Sequence, residues 1–163
     1  MILSAPVILS EQHDLQNFTC GVISLDDWLK RRAYANQVVG ASRTYVVASE
    51  QKVVGYYCLA SGALLLSNAP GSVRRNMPDP VPMVVLGRLA IDQSWQGRRL
   101  GVALLQDAVI RTREAAEIVG VRGLLVHALS EEAKAFYEKH GFVSSPTQPM
   151  TLVLSLKNQK AAH

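Results

Sequence analysis

The residues best placed to do chemistry run consecutively: Gln96, Gly97, Arg98, Arg99, Leu100 and Gly101, between an apolar strand-like segment and a helical one. The first turn of a helix leaves backbone N–H groups without internal partners, and together with the helix dipole these form an anion site. Gly97 and Gly101 would let a pyrophosphate come close to the backbone. The spacing is neither that of a P-loop nor GxGxxG, which disfavours an NTPase and a dinucleotide-binding Rossmann domain. The same residues suit an ordinary strand-to-helix turn whose glycines serve packing, and the stretch alone does not separate the two.

The remaining chemistry-bearing residues narrow the classes further. Lys30-Arg31-Arg32, Arg74-Arg75, Arg88 and the pair Arg111 and Arg113 are basic, within a net charge of +4 made by 17 Lys and Arg against 13 Asp and Glu. Solvated surface is their default role; several on one face would suit RNA phosphates. Cys20 and Cys58 are too few for a disulfide framework or for a zinc site without histidine. His13, His127, His140 and His163 show no metal spacing, so no metal is expected. His127 reads as a partly buried strand residue. Asp92 reads as a strand end, and Glu131 and Glu132 as charges at a helix start, so no strong general base stands out.

The elements that must position these groups follow from pattern. The chain has 163 residues, 48% of them hydrophobic and 18% charged, which fits one folded domain over 1–163 and excludes disorder. No apolar run reaches the ~20 residues of a membrane span, and residues 1–14 lack the marks of a signal peptide, so a soluble, cytoplasmic protein is expected. Residues 5–10 read as a strand. Ser24 and Asp27 read as a capping pair before a helix over 25–38, with Gly40 as its stop. Residues 42–49 and 53–61 read as a hairpin separated by Glu50, Gln51 and Lys52. Four prolines at 70, 78, 80 and 82 make 67–82 mostly loop. Residues 83–91 read as a buried strand in which Gly87 marks a bulge or close approach. A long helix starts near 97–100, with Leu105, Ala108, Val109, Thr112, Ala116 and Val119 on its core face. A strand over 123–129 and a helix capped by Ser130 and ended by Gly141 come next. Strands over 142–144 and 150–156 and a frayed tail complete a mixed sheet with helices on its faces. The strand–helix–strand run over 83–129 requires parallel neighbours.

In this frame the sequence resembles the GCN5-related N-acetyltransferases (GNAT), whose acyl-CoA signature is Q/R-x-x-G-x-G/A between a strand and its following helix. Gln96 and Gly101 match its ends; Arg99 stands where the family has glycine, a change that costs on the order of 1 kcal/mol if φ must be positive there. The resemblance narrows to the TacT/AtaT-type toxin acetyltransferases through Phe18-Thr19-Cys20-Gly21, Leu25-Asp26-Asp27-Trp28-Leu29, Gly40-Ala41-Ser42-Arg43-Thr44 and Gly55-Tyr56-Tyr57. It continues in Arg74-Arg75-Asn76, Pro78-Asp79-Pro80, Leu86-Gly87-Arg88-Leu89-Ala90 and Ala133-Lys134-Ala135-Phe136-Tyr137-Glu138.

The resemblance implies a GNAT fold and acetylation of the α-amino group of aminoacyl-tRNA by acetyl-CoA, which stops translation. It also implies a ribbon-helix-helix antitoxin as partner and a homodimer. Acetyl-CoA would be held by Gln96, Gly97, Arg98, Arg99, Leu100, Gly101 and Val102, and by the backbone of Leu89, Ala90 and Ile91. The Leu89 N–H would polarise the thioester carbonyl, and Ala133 would leave room beside the pantetheine. Tyr137 would be the general acid for the departing thiolate; without the resemblance it reads as a core tyrosine with its hydroxyl at the rim. Arg74, Arg75, Arg88 and Lys30 are the candidates for tRNA contact. The alternatives are an acetyltransferase of a small amine or protein N-terminus, and a non-catalytic binding module in which Arg99 has spoiled the cofactor site.

Overall fold

A computed structural model describes residues 2–156; the expected frayed tail lies outside them. In chain order the elements are β1 (Val7–Ile8), α1 (Ile23–Trp28), a π-helical turn (Leu29–Ala33), α2 (Tyr34–Val38), β2 (Arg43–Ser49) and β3 (Lys52–Leu64). Then come α3 (Gly71–Arg74), β4 (Val81–Ile91), α4 (Leu100–Ala116), β5 (Gly123–His127), α5 (Glu131–Lys139), β6 (Val143–Ser144) and β7 (Thr151–Ser155). The strands form a seven-stranded mixed sheet in the order β1-β2-β3-β4-β5-β7-β6. The chain comprises two compact units, Met1–Ala60 with Gly87–Ala108, and Ser61–Leu86 with Val109–His163.

In the first unit β1, β2 and β3 pair antiparallel. Ser49 pairs with Lys52, so the hairpin turn is only Glu50 and Gln51, both left-handed at φ 51° and 71°. Those are the torsions that let a two-residue turn follow the strand twist. Leu9, Phe18, Leu29, Ala33, Val46, Val53, Tyr56 and Ala90 form the core. The first helix departs from expectation at its start. Val22, not Ser24, occupies the N-cap without a side-chain cap. The carboxylate of Asp26 is spent on the Cys20 N–H at 2.9 Å. The helix then widens into the π turn at Leu29–Ala33 before α2. Gln37 pins α2 to the strands: its amide donates to the Leu9 carbonyl at 2.8 Å and accepts from the Thr44 N–H at 2.9 Å. Gly55 gives the start of α4 its seat, since a Cβ there would meet Leu104 at 3.1 Å and Ile91 at 3.0 Å. At Gly87 the close approach is real: a Cβ would lie 2.9 Å from the Cys58 sulfur.

In the second unit residues 83–86 of β4 pair with 123–126 of β5 in parallel, and β7 lies antiparallel to β5. Leu64, Ala69, Val73, Val81, Met83, Leu125 and Val153 pack together. Val73, from α3, anchors the proline-rich segment, and Asp79 accepts the Leu66 N–H at 3.0 Å. The Ser130 side chain caps α5 by accepting the Ala133 N–H, and Gly141 follows at φ 96°. Two expectations, a core role for Val119 and a strand reaching Leu129, fail on element length. α4 stops at Ala116, so Val119 falls beyond its end and is 58% exposed. β5 stops at His127, leaving Leu129 exposed. His127 is itself exposed rather than partly buried, its Nδ1 paired with Thr151 Oγ1 at 3.0 Å.

Candidate active site

The turn between β4 and α4 is built by hydrogen bonds that reach back to residues 19–20. Asp92 accepts the Thr19 N–H at 2.9 Å on one oxygen, and the Ser94 N–H and hydroxyl on the other. Burial alone would raise its pKa, but these donors outweigh it and hold the carboxyl below its ordinary value. The Gln93 N–H donates to the Thr19 carbonyl. Gln96 spends its amide hydrogens on the Cys20 and Ile91 carbonyls, each at 2.9 Å. The first residue of the signature thus shapes the turn through the backbone of its neighbours.

After Gln96 the backbone turns left-handed twice, at Gly97 (φ 79°) and Arg99 (φ 61°). Arg99 therefore adopts the conformation for which a glycine is the usual choice. Its carbonyl accepts the Ala103 N–H at 3.3 Å, which opens α4. The N–H groups of Leu100, Gly101 and Val102 lie in that first turn, where helix geometry supplies no internal acceptor. Arg98 and Arg99 are both exposed, and the Arg98 guanidinium lies 4.6 Å from the centroid of Trp95. Chemically the turn offers backbone donors, a helix dipole and two cations, a set that fits a pyrophosphate.

The ladder between β4 and β5 covers 83–86 of β4 and goes no further. Residues 87–91, which include Leu89, Ala90 and Ile91, have no β5 partner, so one edge of their peptide groups is left for another strand-like group. Arg88, in this stretch, lies over Trp28, with 4.3 Å from its guanidinium carbon to the ring centroid. Lys30 is exposed on the π turn.

Tyr137 and Ala133 lie one helical turn apart on α5. The Tyr137 ring is buried between Phe136 and Phe142, at 5.3 Å from each. No group among the described residues accepts from its hydroxyl, which is not one of the sealed, unpartnered polar atoms. Burial pushes its pKa up to about 12. Arg74 and Arg75, at the end of α3, are exposed. The first unit thus carries the signature turn, residues 89–91, Arg88 and Lys30. The second carries Tyr137, Ala133, Arg74 and Arg75.

Cys20 and Cys58 are free thiols. Burial, then the neighbouring Asp26, pushes Cys20 up to about 11, so it is a poor nucleophile. Sequence reasoning assigned no role to Trp28 or to the Thr19-Cys20 backbone. An aromatic just before the basic run at 30–32 was the available signal for the first. The second carries none, because its donors and acceptors are main-chain atoms.

Residues 40–144 match the family described as acetyltransferase (GNAT) domain. A tRNA-acetylating toxin of Mycobacterium tuberculosis is 51% identical over 158 residues, 97% of this chain and 95% of that protein. The structure of AtaT complexed with acetyl-methionyl-tRNAfMet is similar at TM-score 0.90 and 31% identity, covering 98% of each chain. A mutant AtaT toxin bound to the C-terminus of the antitoxin AtaR and acetyl-CoA is similar at TM-score 0.83 and 29% identity, covering 99% of this chain and 97% of that one.

Proposed function

This chain belongs to the GNAT acetyltransferase family, and we propose that it is the toxin of a toxin–antitoxin pair, an enzyme that stops translation by acetylating aminoacyl-tRNA. The observation that carries this reading is the likeness, along 97% of the chain, to a tRNA-acetylating toxin. The left-handed turn before α4 supports the acetyl-CoA half of it, because a glycine-like backbone persists at Arg99 where the side chain gives no local reason for one.

In the reaction the α-amino nitrogen forms a bond to the acetyl carbon, the C–S bond breaks, and the proton the nitrogen loses passes through water to restore the Tyr137 hydroxyl after it has protonated the sulfur. The donors at the start of α4 take the pyrophosphate of acetyl-CoA, and the open edge of 89–91 takes its pantetheine arm. The Leu89 N–H donates to the thioester oxygen as charge develops on it. The Tyr137 hydroxyl gives its proton to the departing sulfur; a phenol with pKa about 12 stays protonated at working pH and donates only as the sulfur becomes anionic. A strong base is unnecessary, since an α-amino group titrates near ~7.7–8.0 and an adjacent ester lowers that further. Lys30, Arg74, Arg75 and Arg88 contact the tRNA.

The proposal extends to an antitoxin of the ribbon-helix-helix type, a homodimer, a cytoplasmic location beside the tRNA pool, and one acetyltransferase domain made of both units. Among the described residues no helix is long and apolar enough to cross a membrane. The test is to incubate the purified protein with acetyl-CoA and a total charged tRNA pool and to follow acetyl-aminoacyl products. Acetylation of aminoacyl-tRNA is expected, together with arrest of a translation extract that added aminoacyl-tRNA relieves. Acetylation of a polyamine or peptide with every aminoacyl-tRNA untouched would replace the toxin reading with that of an ordinary acetyltransferase.

A further inference from the structure

Arg88 stands one peptide before Leu89, so the two Cα atoms lie about 3.8 Å apart and Arg88 is fixed next to the proposed point of acyl transfer. Its guanidinium lies over the Trp28 ring at 4.3 Å. Trp28 in turn stacks on Tyr56, with centroids 6.1 Å apart and planes 11° from parallel. Tyr56 is fully buried, and its hydroxyl donates to the Leu25 carbonyl at 2.7 Å, tying α1 to the sheet. Cys58 is buried against the same arginine: burial pushes its thiol up, against the pull of the Arg88 charge. Among the described residues no carboxylate pairs with Arg88, and the side chain keeps partial exposure. A delocalised cation that is supported on one side, un-neutralised and anchored through rings to the core is suited to receive the face of a nucleobase.

We infer that Arg88, held over Trp28, is a stacking platform for the unpaired terminal base of the aminoacyl-tRNA, and that it sets the position of the esterified amino acid at Leu89. This rests on the tRNA-acetylating reading above and specifies how that substrate is gripped. A phosphate contact needs only a charge, which exposed Lys30 already supplies on the adjoining π turn. A ladder of rings under a guanidinium adds a plane, and base stacking is what uses one. Trp28 is the positioning residue of the pair.

Arg88→Lys keeps the charge and removes the plane. Two phosphate-free acceptors then isolate the base: a 3′-aminoacyl-adenosine and the methyl ester of the same amino acid. Wild type should favour the adenosine about tenfold in kcat/KM, and Arg88→Lys should bring the two within about threefold. With full aminoacyl-tRNA, Arg88→Lys should raise KM about tenfold, while kcat and the KM for acetyl-CoA stay within about twofold. Trp28→Leu, with unchanged acetyl-CoA affinity as proof of folding, should reproduce that pattern. An Arg88→Lys enzyme with wild-type KM and an undiminished preference for the adenosine overturns the inference. Failure of the wild type itself to acetylate any aminoacyl-tRNA overturns the functional reading instead, and the wild type alone reveals it.

Discussion

Tyr56, under α1, and Tyr137, in α5, are both buried phenols, and they have spent their hydroxyls differently. Tyr56 is sealed, edge-on to Phe18 and parallel to Trp28, and donates to the Leu25 carbonyl. Burial takes its pKa above the usual phenol range. Tyr137 is 6% exposed, its ring is held by Phe136 and Phe142, and no acceptor among the described residues takes its proton. A tyrosine whose hydroxyl already bonds a helix carbonyl is a brace. One whose ring is fixed and whose hydroxyl is unspent can serve as an acid. A like distinction separates two neighbouring, exposed arginines: Arg98 lies on Trp95, and Arg99 has a left-handed backbone.

The largest effect should come from Tyr137→Phe. With saturating acetyl-CoA it should lower kcat by roughly 10²–10⁴ while the melting temperature stays unchanged. An equal loss in Tyr56→Phe, or activity within a few-fold of wild type in Tyr137→Phe, would break the comparison. Next, Arg99→Gly should weaken acetyl-CoA binding about tenfold in calorimetry, because a charge-assisted contact is lost. The same change should stabilise the fold by about 0.5–1 kcal/mol, since glycine accepts a positive φ without steric cost but has more freedom to lose on folding. Arg98→Ala should change affinity less than about threefold if its guanidinium is committed to Trp95. Tighter binding by Arg99→Gly would show the side chain to be an obstacle.

Tyr56→Phe should cost about 1 kcal/mol in denaturant titration and leave turnover within about twofold. The cost stays small because the Leu25 carbonyl keeps the Leu29 N–H as a partner. The smallest effect is an absence. A required proton on a group with pKa about 12 is lost only above that pH, so kcat should show no descending limb up to about pH 10. A limb near pH 9 would mean that the acid is another group or that bound acetyl-CoA lowers the phenol.

The order of strands and helices was legible because apolar runs and turn residues are local signals, and each expected element is present. Their ends were less legible. Ser24 and Asp27 satisfy a capping pattern, yet Val22 is the cap, since Asp26 serves the distant Cys20 N–H. Val119 keeps the helical spacing of α4 past the point where the helix ends. At the candidate site the signature turn could be read from spacing, and the family glycine at the position of Arg99 anticipated its φ. The true partners of Gln96 could not be read, because they are carbonyls made adjacent only by folding. The Trp28–Arg88 contact was hidden for the same reason: the two residues belong to different elements, and no periodicity joins them.

The π turn at Leu29–Ala33 lets the first helix carry more residues than an α-helix of the same total rotation. An α-helix rotates about 100° per residue, and a π turn spreads the same rotation over more of them. α2 therefore leaves the turn at an azimuth that an unbroken helix would not reach. Gln37 exploits that azimuth to meet Leu9 on one side and Thr44 on the other. Forcing residues 29–33 into regular α-helix with none removed would swing Gln37 about 100° away from both strands, whereas removing one of the five would restore a regular helix with Gln37 near its present azimuth. Between the indole of Trp28 and the amide of Gln37 the turn absorbs one extra residue, so the faces before and after it keep the alignment that a regular helix one residue shorter would give them.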